Sequence, residues 1–182
     1  MRRWVGFGVA LLLAVATAVW VGMDNRAARP SVTRENTPIR AAGMGEWVRT
    51  DGIALRVVRA DIAPSFPDAD RPEKLVEPTA AGAVIVRVAY EVDRGAEQSV
   101  LCSTGLYAGL GGPDQREWTR SSLIGLTSFD DPSHCGWKPS DGSPRPPVIT
   151  LVEGFEVPPG TSDLTFQLGR DAGTRVRVPL PG

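Results

Sequence analysis

Apolar and polar residues alternate in short segments through the C-terminal three quarters of the chain. From Ile53 onward, apolar side chains recur at every second position, the spacing of a β-strand with one buried face. The clearest segment is 84–93, where valines and Tyr90 share one face and charged residues occupy the other. Similar segments lie at 53–58, 99–110, 117–126, 148–157, 163–168 and 174–180. These seven segments, with no long amphipathic helical pattern, predict an all-β, antiparallel β-sandwich, with a small barrel as the alternative.

Two connections between the predicted strands are too long for tight turns. Residues 61–81 contain four prolines, and residues 127–147 contain five. Proline limits the conformational freedom of the unfolded chain, so both segments are expected to be ordered although irregular. Long loops in compact domains are often functional, and the sequence therefore directs attention to these two.

The N-terminal segment is strongly apolar. Arg2 and Arg3 precede twenty uncharged residues, 4–23, which as a helix would cross a bilayer core. Ala16 and Ala18 offer the alternative of a signal peptidase site, but the apolar run continues beyond them. The sequence thus predicts a transmembrane anchor over 1–23, or else a cleaved signal peptide, then a flexible linker over 24–45 and a domain over 46–182.

Charge and cysteine content define the compartment. Residues 1–43 carry six arginines against two acidic residues, whereas the rest of the chain is mildly acidic, which argues against nucleic acid as a partner. Cys102 and Cys135 are the only cysteines, and an even number in an exported chain predicts one disulfide. A free or redox-active pair is the alternative. The predicted disulfide favours an oxidising compartment, so we expect the C-terminal domain outside the cytoplasm.

The residues offer little catalytic chemistry. His134 is the only histidine, it adjoins Cys135, and no further ligands at zinc-binding spacing or nucleophile motif accompany it. We therefore expect no metal site, no cofactor and no enzymatic activity. The acidic loop 61–77 supports a second hypothesis, an ion-binding or ligand-binding module that uses Asp68 and Asp70, although the spacing of an EF-hand is absent.

Aromatic residues near the second long loop suggest a different use. Phe129 and Trp137 lie within it and Trp118 precedes it. Aromatic side chains are enriched at protein interfaces, so these three are candidates for partner binding, while packing inside the domain is the alternative.

The order of these features resembles the immunoglobulin-like, telokin-like extracytoplasmic domains of unknown function in actinobacterial and other Gram-positive surface proteins. The likeness covers about residues 46–180, and Gly154-Phe155-Glu156-Val157-Pro158 is its most characteristic part. The resemblance implies an immunoglobulin-like sandwich of about seven strands and a surface location, and it brings no catalytic residues. The features that carry it are Trp47, the strand with Leu55 and Val57, the V-x-V-x-Y-E-V-D strand ending at Asp93, Cys102 with Leu106 and Leu110, Trp118, and Cys135-Gly136.

The sequence therefore predicts a non-enzymatic protein of the cell envelope. It would be held in the membrane by a single N-terminal helix, or secreted if that helix is cleaved, with its domain on the extracytoplasmic side. Its expected activity is to bind a protein partner or to modulate an envelope complex.

Overall fold

The computed structural model describes residues 38–181, apart from 96–99, 101, 124, 171 and 172. The predicted anchor over 1–23 lies outside these residues. Within them the chain forms strands, turns and irregular loops, and no helix there is long and apolar enough to span a membrane. The strands are β1 (Ile39–Ala41), β2 (Val48–Thr50), β3 (Ile53–Ala63), β4 (Phe66–Pro67), β5 (Leu75–Val76), β6 (Val84–Asp93), β7 (Cys102–Ala108), β8 (Arg116–Trp118), β9 (Val148–Val157), β10 (Leu164–Arg170) and β11 (Arg175–Pro179).

The strands form two main sheets. One has the order β2-β3-β6-β9 and is antiparallel throughout. The other has the order β1-β11-β10-β7-β8, in which only β1 runs parallel to its neighbour. β4 and β5 form a small separate ribbon. The long pairings are β3 with β6 and β6 with β9, so β6 is the central strand of the first sheet.

The two sheets share one apolar core. Tyr90 of β6 lies 5.5 Å from Phe166 of β10 between ring centroids, and Phe155 of β9 lies 5.9 Å from the same ring. Alternate residues of both sheets are buried around these rings, as expected when the inner faces of two sheets interdigitate. The predicted all-β sandwich is therefore confirmed.

The seven predicted segments correspond to β3 and to β6 through β11, with one large difference. The segment 117–126 was expected to be a strand, but β8 ends at Trp118. Beyond it the chain crosses to the other sheet, where the Ser121 amide donates to the Gly154 carbonyl at 2.9 Å. The later apolar residues Leu123 and Leu126 pack over that sheet. Their apolar spacing therefore arises from a loop that packs on the sheet, and not from a strand.

The folded part also starts earlier than the predicted boundary at residue 46. Strand β1 lies in the segment expected to be a linker and pairs with Arg175–Arg177. The Ala42 amide continues this pairing by donating to the Arg177 carbonyl at 2.9 Å. A three-residue edge strand whose side chains are all exposed has no alternating pattern, so it could not be predicted from the sequence.

The disulfide joins the sandwich to the second long loop. Cys102 at the start of β7 is bonded to Cys135, with a Cα–Cα distance of 5.8 Å, and Cys135 is buried in the core. The predicted pairing is confirmed. Closing a loop of 33 residues stabilises the fold by roughly 3–4 kcal/mol on the chain-entropy view.

Candidate binding surface

The two long loops meet on the outer face of the first sheet. Ile85 of β6 points away from the main core and packs with Phe66, Val76 and Leu126, which we call the second cluster. Gly154 of β9 leaves the space for this contact, because a Cβ atom there would clash with Leu126 Cδ1. One loop contributes β4 and β5, and the other, which in the structure begins after Trp118 rather than at residue 127, contributes Leu126. The second cluster thus fixes the two loops against each other.

Asp68 organises the first loop from within. It is 6% exposed, and its Oδ1 accepts from the amides of Asp70 at 3.0 Å and Arg71 at 2.9 Å. Its Oδ2 accepts from Arg71 Nη2 at 3.2 Å. Burial raises the pKa of Asp68, but the hydrogen bonds from the Asp70 amide and from Arg71 outweigh it and hold the pKa below 3.8. The hydrogen bonds described for this carboxylate are therefore all made within the first loop.

Asp70 connects the first loop to the second. Its Oδ1 accepts from the Ser128 hydroxyl and its Oδ2 from the Phe129 amide at 3.2 Å. The Ser128 amide donates to Asp131 Oδ2 at 3.0 Å, and the Asp131 amide returns a bond to the Ser128 carbonyl at 3.1 Å. Residues 128–131, which we call the Phe129 turn, are thus fixed from both sides.

Phe129 stands out from this turn. Its residue surface is 89% exposed, the largest value among the exposed large hydrophobic residues that the structure describes. Asp130 and Asp131, both exposed, follow it directly. A fixed turn that presents a phenylalanine between carboxylates offers an apolar contact with an acidic rim.

The other two aromatic candidates are placed differently. Trp118 lies in β8 opposite Leu106 and packs, partly buried, against the main core. Trp137 is partly buried in the second loop, where its amide donates to the His134 carbonyl at 2.9 Å. The ring contacts of the described residues do not include Trp118, Phe129 or Trp137. Phe129 is the one candidate whose ring is largely free for a partner.

Neither Asp68 nor Asp70 belongs to a metal-binding group in the part of the chain that the structure describes. No three His, Cys, Asp or Glu side chains come together there in a way that could hold an ion. His134 is exposed, and Cys135 beside it is consumed by the disulfide. The ion-binding hypothesis for loop 61–77 stays a prediction, and the carboxylates that it requires are engaged with amides and hydroxyls.

Two buried polar residues were not anticipated. Glu153 lies on the inner face of β9, where Tyr90 Oη donates to its Oε1 at 2.8 Å and the Thr104 hydroxyl donates to its Oε2. Burial, and then the charge of Glu153, raise the pKa of Tyr90 well above its ordinary value. The signal was present in the sequence, because Glu153 interrupts the inward series of Ile149, Leu151, Phe155 and Val157.

The second is Arg94, which follows β6 and is 1% exposed. Its Nη1 donates to the carbonyls of Cys135 at 3.3 Å and Trp137 at 3.2 Å, and its Nη2 donates to the carbonyl of Pro146. The side chain thus holds both ends of the segment 135–147. The local sequence around Arg94 does not predict this role, because its partners are backbone carbonyls forty or more residues away.

Comparisons with known proteins add little. No protein-family model matches the chain, and no curated protein matches it significantly. Among solved structures, the chain is similar to an uncharacterized β-sandwich protein from Clostridium difficile 630, with 12% sequence identity and a TM-score of 0.46. The alignment covers 80% of this chain and 97% of that chain. The sandwich assignment rests on the two sheets and their shared core.

Proposed function

We propose that this chain is a non-enzymatic, membrane-anchored protein of the cell envelope whose extracytoplasmic β-sandwich binds a protein partner or modulates an envelope complex. The contact is made by the Phe129 turn. The observation that carries the proposal is the 89% exposure of Phe129 on a backbone that is already fixed by Asp70 and Asp131.

The free energy gained by burying an exposed phenylalanine side chain favours a role for Phe129 in binding. Burying a phenylalanine side chain in a partner pocket contributes roughly 2–3 kcal/mol relative to leaving it in water. Binding usually loses part of such a gain to ordering of loops and side chains. The hydrogen bonds of Ser128 and Phe129 to Asp70 order this turn before any partner arrives.

The charge around Phe129 indicates the character of the partner. Asp130 and Asp131 follow Phe129 directly, and Asp70 accepts from its backbone amide, so three carboxylates belong to or contact this turn. The complementary surface is an apolar pocket with Lys or Arg at its rim, because complementary charges speed encounter and exclude unsuitable partners. The partner is thus a protein rather than a nucleic acid or another polyanion.

Location and family are part of the same proposal. The disulfide between Cys102 and Cys135 is typical of an oxidising compartment, and the apolar run over 4–23 is long enough for an anchor. The order of the seven strands that match the predicted segments, with β3-β6-β9 facing β11-β10-β7-β8, is compatible with an immunoglobulin-like sandwich. We accordingly place the domain with the telokin-like surface domains that its sequence resembles.

The experiment is site-specific photo-crosslinking in the cells that produce the protein. A photoreactive phenylalanine analogue replaces Phe129 in the full chain, and Ile39, which is 47% exposed on β1, is replaced in a matched control. We expect one discrete protein adduct from position 129, in the membrane fraction, and none from position 39. Phe129→Ala should lower co-purification of that protein at least tenfold without changing the thermal midpoint.

Two outcomes would contradict the proposal. Equal adduct patterns from both positions would indicate chance collisions, and unchanged co-purification with Phe129→Ala would show that the ring is not in the interface. Recovery of the chain in the soluble fraction, lacking residues 1–23, would refute the anchor and leave a secreted protein.

A further inference from the structure

A groove of about 510 Å³ lies at the end of the sandwich where β6 finishes and the second long loop returns to β9. Its described lining contains three basic residues and no acidic one, and prolines form much of its wall. Two carboxylates adjoin this lining, because Asp93 accepts from the Gly95 amide and Asp141 from the Ser143 amide, each at 2.9 Å. The residues that matter are Arg94, Lys138, Arg145, Pro139, Pro146 and Pro147. This groove is distinct from the Phe129 turn, which contacts loop 61–81 near the opposite end of β6.

Arg94 contributes a buried positive charge to the lining of the groove. It is a cation with 1% of its surface exposed, and every hydrogen bond described for its side chain goes to a backbone carbonyl. None of the salt bridges among the described residues includes it. Carbonyl dipoles compensate a buried charge only in part, so a full negative charge nearby would stabilise this side chain further.

Two neighbouring cations, Arg145 and Lys138, add to the positive electrostatic potential of the groove. Burial and, after it, the positive charge of Arg145 lower the pKa of Arg94 from its ordinary value. Lys138 is exposed at the groove margin, where its ammonium can reach a ligand. Positive charges converging on a walled groove concentrate anions there.

We propose that this groove binds the oxyanion group of a small ligand, a carboxylate or a phosphate. Lys138 contacts the oxygens, while Arg94 and Arg145 add positive charge to the lining of the groove. The proline walls accept the apolar part of the ligand. The site is independent of the protein-binding function proposed above.

The test is an NMR titration of the ¹⁵N-labelled full chain in a nonionic detergent, at constant ionic strength with chloride as the balancing anion. The two probes are inorganic phosphate and acetate. We expect saturable shifts at the amides of Gly95, Gly142 and Ser143, which line the groove. Lys138→Ala should weaken the affinity at least fivefold. Lys74→Ala is the matched control, because Lys74 is exposed in the first loop and is the other lysine of the chain.

The outcomes separate the ligand classes and can refute the site. Saturation by phosphate alone identifies a phosphate site, saturation by acetate alone a carboxylate site, and saturation by both a general oxyanion site. Shifts that do not saturate, or an equal loss of affinity in both lysine variants, would overturn the proposal. Arg94 would then be an anchor for segment 135–147 and nothing more.

Discussion

The two apolar clusters of this domain lie on opposite faces of the same strand and are held in different ways. Val86, Val88 and Tyr90 of β6 face the main core, which is continuous between two sheets. Ile85 faces the second cluster, whose other buried members among the described residues are Phe66, Val76 and Leu126. The main core is stabilised by apolar area, whereas the second cluster needs additional polar contacts to keep the loops in place.

Carboxylates supply those contacts on the outer face. Glu156 accepts from the Ser121 hydroxyl at 2.7 Å and from the Ala80 amide at 2.8 Å, which ties both loops to β9. Asp61 accepts from Arg87 Nη2 at 3.0 Å, and the Arg87 guanidinium lies 4.2 Å from the centre of the Phe66 ring. The two sheets are thus held together mainly by apolar packing, whereas the loops of the candidate binding surface are attached to the outer face by hydrogen bonds and ion pairs.

The largest expected effect comes from breaking the main core. Phe166→Ala removes a fully buried ring that contacts both Tyr90 and Phe155, and we expect a loss of about 3–5 kcal/mol in the free energy of unfolding. Urea denaturation measures it. The matched variant Phe66→Ala, in the second cluster, should cost clearly less. Equal losses would contradict the division into two regions.

A smaller effect is expected in the second cluster. Leu126→Ala should cost about 2 kcal/mol, near the lower end for buried leucine, because the side chain lies close to solvent at 9% exposure. The loss should appear as faster amide hydrogen exchange in residues 66–76 and 125–131, with little change at β10. Leu106→Ala in the main core is the control and should accelerate exchange throughout the sandwich. Global acceleration with Leu126→Ala would show that the clusters unfold together.

Lowering the pH is the mildest perturbation, and we expect it to affect the loops on the outer face before the main core. Hydrogen bonds, led by that from Ser121, hold the pKa of Glu156 below 4.5. For Asp61, burial raises the pKa, but the contacts with Arg87 and Arg59 outweigh it, and the net pKa lies below 3.8, as it does for Asp68. A carboxylate whose pKa is lowered by folding stabilises the fold above its ordinary pKa, and this contribution is lost as the pH falls through the folded value.

We therefore expect the loops on the outer face to loosen as the pH falls below about 4.5, before the sheets separate. Amide peaks of residues 66–80 and 119–131 should weaken first in an NMR pH titration, while those of β10 and β11 persist. Glu156→Gln keeps the side-chain size and should loosen part of this layer already at neutral pH. Simultaneous loss of all peaks would contradict the electrostatic origin of the layer.

The strands of the sandwich were largely predictable. The alternation in β6, β10 and β11 reflects the pleat of a strand with one buried face, and this property needs no knowledge of the neighbours. The prediction was wrong beyond Trp118, where Leu123 and Leu126 cover a sheet from outside. A loop side chain buried by tertiary contact carries the same sequence signal as one buried in a strand.

The candidate surface was predictable only in its residue types. Phe129 was named among three aromatic candidates, but its exposure follows from the turn that Asp70 fixes, 59 residues away in the chain. Asp68 and Asp70 were identified as an acidic pair, whereas the structure uses them to fasten loops. The role of Asp70 does not follow from spacing along the chain, because its donors Ser128 and Phe129 come from another segment. The donors to Asp68 lie two and three residues further along the same loop.

Local features of this chain follow from its sequence alone. Strands lie where polarity alternates, loops lie where proline is dense, and one disulfide is expected because the chain has only two cysteines. The tertiary structure decided which polar groups are engaged and which surfaces remain open. Arg94 and Glu153 illustrate the reason. A charged side chain can be buried only when donors or acceptors from distant segments converge on it, and that convergence exists only in the folded chain.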